Sequence, residues 1–219
     1  MLVTQKIKMT SCTLCENQQK LLPIGGPDMR QYLHCPECRL IFVPPDLLPS
    51  EEEEERRYLQ HNNGLHHRGY LKFLSRAIDA AAPLLFEHAK SLDYGCGPSP
   101  SLSMLLKKQG MNCADYDPIF FPELPAGPFD FIFATECFEH FFSPAEELAK
   151  LNQLLRSGGS LVVMTSLWNS QTKFRNWSYA RDYTHVSFYH AKSFEYICSH
   201  FGFRLAGGDQ KRLVILQKE

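Results

Sequence analysis

The sequence predicts an α/β fold in which a mostly parallel sheet is closed by a C-terminal antiparallel hairpin and preceded by a small cysteine-rich unit. Three observations carry this. Short strand-like runs at residues 91–94, 112–116, 129–134 and 160–165 alternate with helix-like segments, the pattern of successive βαβ units. The first run, Ser91-Leu92-Asp93-Tyr94, ends in Gly95-Cys96-Gly97, and Ser99-Pro100 reads as the N-cap and first residue of the next helix. Ahead of them, Cys12, Cys15, Cys35 and Cys38 form two C-x-x-C pairs separated by nineteen residues.

With 219 residues, 44% of them hydrophobic, the chain can bury a full core as one ordinary domain plus an appendage. No apolar run approaches a membrane span, and residues 1–10 hold no continuous leader-like apolar stretch. No membrane association is expected, and the expected location is the cytoplasm. A net charge of −1 gives no long-range attraction to nucleic acid, although Lys6, Lys8, Lys20, Arg30 and Arg39 could form a local basic face. Eight cysteines in that location argue for metal ligands or buried thiols over disulfides.

The spacing of Cys12, Cys15, Cys35 and Cys38 is that of a zinc ribbon, assigned to residues 1–48. Each pair presents two thiolates from one tight knuckle, and Gly25-Gly26-Pro27-Asp28 centres a hairpin that joins the knuckles. Four thiolates complete a tetrahedron, so the expected zinc is structural; His34 reads as a flanking residue. Residues 49–89 form a helical linker. Ser50 and Glu53 make a capping box, and Glu52–Arg56 and Glu53–Arg57 are spaced for i,i+4 pairs. Tyr58, His61, Asn62 and Tyr70 follow as a polar and aromatic patch, and Leu71, Leu74, Ile78 and Ala81 as an apolar helical stripe.

Residues 90–219 carry the main fold. Gly95 and Gly97 permit positive φ and let a ligand lie against bare backbone at a helix N-terminus. Ser99 stands where a dinucleotide fingerprint would place its third glycine, so a pyrophosphate is not the expected guest. In order and spacing, Asp93 to Gly97, Asp117-Pro118, Phe129-Asp130-Phe131-Ile132, Glu139-His140 and Leu155-Arg156-Ser157-Gly158-Gly159 resemble the class I S-adenosylmethionine-dependent methyltransferases. The resemblance implies a Rossmann-like sheet with S-adenosylmethionine as cofactor. It also implies cofactor contacts from Asp93, Tyr94, Gly95, Cys96, Gly97, Asp117, Pro118, Thr135 and Glu136, with Tyr58, His61 and Asn62 in a lid. The acidic residue that accepts both ribose hydroxyls is Asp117 on this reading, with Asp115 as the competitor on the same strand face.

One departure from the family stands out. Only eleven residues, four of them proline, separate Asp117 from Phe129, too few for the usual helix and third strand. Both are expected to be missing, with Phe120, Phe121 and Leu124 covering the adenine or sealing the sheet edge.

Glu136, Glu139 and His140 stand at i, i+3 and i+4, so one helical turn would put them on one face. The string resembles the metal site of the ubiquinone-pathway O-methyltransferases and of the small-RNA terminal 2′-O-methyltransferases, with His185 as the completing histidine. The resemblance thus implies a candidate second divalent metal at Glu136, Glu139, His140 and His185. The same Glu-His pair also occurs in relatives that use no metal. His140 or His185 is the candidate base, oriented by Asp182. The segment 166–185 holds Trp168, Phe174, Arg175, Trp177, Tyr179, Arg181, Asp182 and Tyr183, suited to a planar or anionic acceptor, with Phe174 and Tyr183 read as core. Cys96, Cys113, Cys137 and Cys198 read as buried small side chains.

The expected activity is methyl transfer from S-adenosylmethionine to a small molecule, O-methylation being favoured. The alternatives are an RNA acceptor guided by the ribbon, or a non-catalytic scaffold. An intact glycine turn and Asp117 argue against the scaffold.

Overall fold

The computed structural model describes residues 11–18, 21–60, 64 and 66–219, so Lys6, Lys8, Lys20, His61 and Asn62 lie outside the described residues. In chain order the elements are β1 (Leu22–Gly25), β2 (Gln31–His34), β3 (Ile41–Phe42), α1 (Glu51–Leu59), α2 (Arg68–Ala81), β4 (Lys90–Tyr94), α3 (Ser101–Lys108) and β5 (Asn112–Tyr116). They continue with β6 (Phe129–Thr135), α4 (Pro144–Leu154), β7 (Leu155–Met164), the single turn α5 (Gln171–Phe174), β8 (Ser187–Phe188), α6 (Ala191–His200), β9 (Phe203–Gly208) and β10 (Leu213–Lys218).

The main sheet has the order β5-β4-β6-β7-β10-β9. Its first four strands run parallel, and β10 joins antiparallel to both β7 and β9. The central strands are buried on both faces, which is why residues 131–134 and 161–164 read as continuous apolar runs. Leu74, Ala77, Ile78 and Ala81 of α2 pack with Leu102 and Leu106 of α3 over one face. Leu148 and Leu151 of α4, Phe194 and Ile197 of α6, and the cysteine-rich unit cover the other.

The expected loss of the third strand holds. Residues 118–128 form no strand; a single bridge, Asp117 to Phe121, folds them back, and β5 becomes the outer strand. The proline-rich run lacks the N–H groups that a ladder would need.

Several local expectations are corrected. The helix after the glycine turn begins at Ser101, one residue later than expected, with Pro100 and not Ser99 at its N-cap. The Ser50 capping box forms as expected. Arg57 does not pair along its helix; it reaches Asp182 at 2.8 Å. Tyr183, read as core, is 38% exposed and donates its hydroxyl to the Glu53 carbonyl.

The hairpin β1–β2 forms as expected. What the sequence did not announce is the continuation of its sheet: β3 pairs with β2 and also with β8, from the far end of the chain. Around this seam Ile24, Tyr32, Ile41 and Val43 share a core with Trp168, Phe174, Val186 and Phe188. The cysteine-rich unit is thereby sutured to the segment that follows β7. Among the described residues, no helix is long and apolar enough to cross a membrane.

Candidate active site

A cavity of about 820 Å³ opens at the carboxyl ends of β4, β5 and β6, within the size range of cofactor and small-molecule pockets. Tyr94, Gly95, Cys96, Gly97, Asp117, Pro118, Thr135 and Glu136 line it from the sheet edge; Tyr58 of α1 and Tyr70 of α2 line it from above. His140, Asp182 and His185 line it as well.

The glycines differ in what they do. A Cβ on Gly95 would collide with the Cys137 thiol, so Gly95 is needed for packing beneath the turn. Gly97 has φ +64 and open space at its Cβ position, so its bare backbone faces the cavity. Asp117 Oδ2 accepts from Gly97 N (2.9 Å), and Oδ1 accepts from Ile119 N and Phe120 N (3.0 and 3.1 Å). A carboxylate offers about four lone-pair directions, so a fixed Asp117 retains capacity at the cavity wall. This open glycine and anchored acid fit the ribose and methionine parts of S-adenosylmethionine. Asp115 instead turns to Lys107 at 3.4 Å and does not line the cavity.

Asp93 is brought to the turn but not into the cavity. It is 2% exposed, accepts from Ser103 N at 3.3 Å, and is pushed up to about 8 by burial and by the Asp115 carboxylate. Its place is behind the turn, holding the start of α3.

The Glu-x-x-Glu-His string does not form an α-turn. Glu136 has φ 49, and only Phe138–His140 make a 3₁₀ turn, which swings the two glutamates apart. Glu136 pairs with Arg212 at 2.7 Å and is raised to about 8, mainly by burial and then by Glu139. Glu139, His140 and His185 converge instead, with ligand atoms within 4.8 Å of one another. Glu139 is fully buried. Its Oε1 accepts from Tyr179 Oη at 2.5 Å, while Oε2 has no hydrogen-bond partner among the described residues.

Both imidazoles are oriented by main chain: His140 Nδ1 meets the Thr184 carbonyl at 3.0 Å and His185 Nδ1 the Tyr179 carbonyl at 2.6 Å. A carbonyl can only accept, so Nδ1 carries the proton in each ring and Nε2 is left with its lone pair. Burial, reinforced by His140, pushes His185 down to about 4 and keeps it neutral. Asp182, expected to orient a histidine, accepts from Thr184 N and Oγ1 and from Arg57, so its hold on the histidines runs through the loop backbone.

At the N-terminal unit, the Sγ atoms of Cys12, Cys15, Cys35 and Cys38 also lie within 4.8 Å of one another. Cys12–Cys38 and Cys15–Cys35 are each 3.5 Å apart, and all four thiols are free. A Zn–S bond of about 2.3 Å sets tetrahedral sulfur–sulfur edges of about 3.8 Å, so four thiolates at these separations suit zinc.

Sequence reasoning named Tyr179 only within the acceptor segment and did not place Arg212, Glu54 or Glu147 at the site. Glu54, raised to about 7 by burial, accepts from Tyr58, and Glu147 accepts from Tyr94. None stands in a motif; each reaches the cavity only because the fold brings it there.

A glycine turn and an edge aspartate at the carboxyl ends of parallel strands, in a sheet closed by an antiparallel hairpin, define an S-adenosylmethionine-dependent methyltransferase. A family model described as a methyltransferase domain matches residues 65–206, well over half of the chain, which therefore belongs to that family. Among solved structures it resembles 1,6-didemethyltoxoflavin-N1-methyltransferase from Burkholderia thailandensis, at TM-score 0.54 and 13% identity, over 84% of this chain and 98% of that one. Magnesium protoporphyrin IX methyltransferase from Synechocystis, with bound S-adenosylhomocysteine, gives a TM-score of 0.51 at 13% identity, over 80% and 97%. At such identities the likeness is one of fold. No curated protein matches the chain.

Proposed function

We propose that the protein methylates an oxygen of a small molecule, with a divalent metal held by Glu139, His140 and His185 and a structural zinc held by Cys12, Cys15, Cys35 and Cys38. The observation that carries this reading is the enclosed, unpartnered Oε2 of Glu139 beside two histidines whose Nδ1 atoms are already committed to carbonyls. A buried carboxylate oxygen without a partner is costly, and histidines tied through Nδ1 to main-chain carbonyls are the usual support of metal ligands. Mixed carboxylate and imidazole donors suit Mn²⁺, Mg²⁺ or Zn²⁺.

S-adenosylmethionine supplies a methyl group already activated on a sulfonium sulfur. The chain's own task is to align the acceptor and take up its proton. A metal on both Nε2 atoms would leave neither histidine free to take that proton and would itself acidify the acceptor hydroxyl; with no metal bound, His140 is the base, since burial leaves His185 weakly basic. Gly97 and Asp117 hold the cofactor, and Tyr58 and Tyr70 close over it. Two features count against an RNA acceptor: Arg30 and Arg39 of the expected basic face turn inward, Arg30 onto main-chain carbonyls and Arg39 over the Trp168 ring at 5.4 Å.

The test is calorimetric titration of metal-analysed protein with S-adenosylmethionine and S-adenosylhomocysteine, before and after mild chelation. Micromolar binding, together with a second metal that Glu139→Gln loses while the zinc stays, is the expected result. Cofactor binding without a second metal overturns the metal site, and no cofactor binding to folded, zinc-loaded protein leaves the scaffold.

A further inference from the structure

Beside the main cavity lies a second cleft, of about 620 Å³, between α1 and the loop that precedes β8. It shares Tyr179, Asp182 and His185 with the main cavity, so the two spaces adjoin along these residues. The two spaces differ sharply in charge. Glu51, Glu54, Asp117, Glu136, Glu146 and Glu147 line the main cavity against a single lysine, Lys150. Three guanidinium groups, Arg57, Arg181 and Arg212, line the cleft against a single carboxylate, Asp182.

The three arginines are not equivalent. Arg57 is tied to Asp182 at 2.8 Å and Arg212 to Glu136 at 2.7 Å, the latter also lying over the Tyr179 ring at 5.6 Å. Arg181 is an exposed residue at the end of the 3₁₀ turn Ser178–Arg181, and its guanidinium makes no ion pair or hydrogen bond among the described residues. An arginine in the cleft lining, with its five donors uncommitted, is suited to a planar carboxylate or a phosphate. Trp177, half-buried in the same wall, offers a ring face, and Ser166, Ser178 and Gln60 offer donors.

We propose that this cleft seats an anionic group, a carboxylate or a phosphate, on a small aromatic methyl acceptor, with Arg181 as its main partner. The inference rests on the methyltransferase reading above and adds the acceptor's chemical class and orientation. Glu51, Asp117, Glu146 and Glu147 of the main cavity disfavour the anionic end and the guanidinium groups of the cleft attract it, so the acceptor enters anion toward the cleft and hydroxyl toward His140 and His185. The charge pattern thus selects both the substrate and its direction.

The test uses full-length, zinc-loaded protein first saturated with S-adenosylhomocysteine, a step that by itself reports whether the cofactor reading holds. Four probes are then titrated: 3,4-dihydroxybenzoate, 4-hydroxyphenyl phosphate, neutral catechol and cationic dopamine. At least one anionic probe is expected to bind tenfold or more tighter than catechol and dopamine, and to quench Trp177 fluorescence; which of the two does so separates carboxylate from phosphate. Arg181→Gln, an exposed substitution with no contact to lose, is expected to erase most of that preference and leave catechol and S-adenosylhomocysteine binding unchanged. Equal binding or no binding of the four probes by the loaded protein overturns the proposal. So does an unchanged anion preference in Arg181→Gln, or single-stranded RNA occupying the cleft where the small anions do not.

Discussion

Gly95 and Gly97 were both legible as a turn, yet they fail differently when substituted. Each holds positive φ, which costs an alanine about 1 kcal/mol or more. Gly97→Ala meets open space, so it is expected to fold with little further loss and to bind S-adenosylhomocysteine at least tenfold more weakly, because the new methyl enters the cavity. Gly95→Ala must in addition displace Cys137, and a lower melting temperature than Gly97→Ala is expected. Asp93 was read as a cofactor contact from its place in the motif, but a motif does not say which face of the turn a side chain takes. It lies behind the turn and is held near 8 by burial and by Asp115. The native state therefore keeps its proton from the ordinary carboxylate range up to about pH 8, while the unfolded chain loses it. Its stabilising share is full at low pH and fades as pH rises through that window, by up to about 1 kcal/mol per pH unit. Melting of the cofactor-free protein at pH 6 and pH 8 should show a fall that Asp93→Asn flattens; an unchanged slope removes Asp93 from the account.

At the scale of elements, the strands of the main sheet could be placed from apolar runs and turn residues, and the missing third strand from four prolines in eleven residues. The seam between β3 and β8 could not. Each is two residues long, and their pairing, Ile41 with Phe188 and Phe42 with Ser187, joins positions about 146 apart, beyond the reach of any local pattern. This seam explains how the loop bearing His185 is held. Arg30 donates from Nη1 to the Asp182 and His185 carbonyls at 3.3 and 3.1 Å, and from Nη2 to the Tyr183 carbonyl at 2.7 Å. Tyr32 donates to the Ala180 carbonyl at 3.0 Å, and Val43 N to the Val186 carbonyl at 2.8 Å. Arg30→Ala is expected to weaken binding of the proposed second metal about tenfold, the usual size of an outer-shell effect, while the proposed zinc and the cofactor affinity stay as they were. Arg30→Lys should recover only part of it, because one ammonium cannot span three carbonyls. Equal metal content in wild type and Arg30→Ala would show that the loop holds its shape without the arginine.

Across the whole molecule, the two C-x-x-C pairs suggested a separable ribbon, since nothing in their spacing says what they pack against. In the fold, Cys12, Leu14, Cys35, Cys38, Leu40 and Phe42 share one core with Leu148 of α4, Phe194 of α6 and Val163 of β7. Three further ties run between them: Trp168 Nε1 donates to the Arg39 carbonyl at 3.1 Å, Ala145 N to the Thr13 carbonyl at 3.2 Å, and Gln171 bonds His34 at 3.2 Å. Zinc bound by the cysteines would therefore stabilise the face of the main sheet that α4 and α6 cover, and not the ribbon alone. Metal-binding energy is folding energy wherever the site forms only in the folded chain. Thermal unfolding is then one cooperative transition, and Cys38→Ser lowers its midpoint by several degrees without splitting it, while amide exchange quickens in β6 and β7 together with β2. Two separate transitions, or exchange that quickens in the ribbon strands alone, would make the ribbon an independent module. In that event the route from the cysteines to His185 through β3 and β8 would carry no energy.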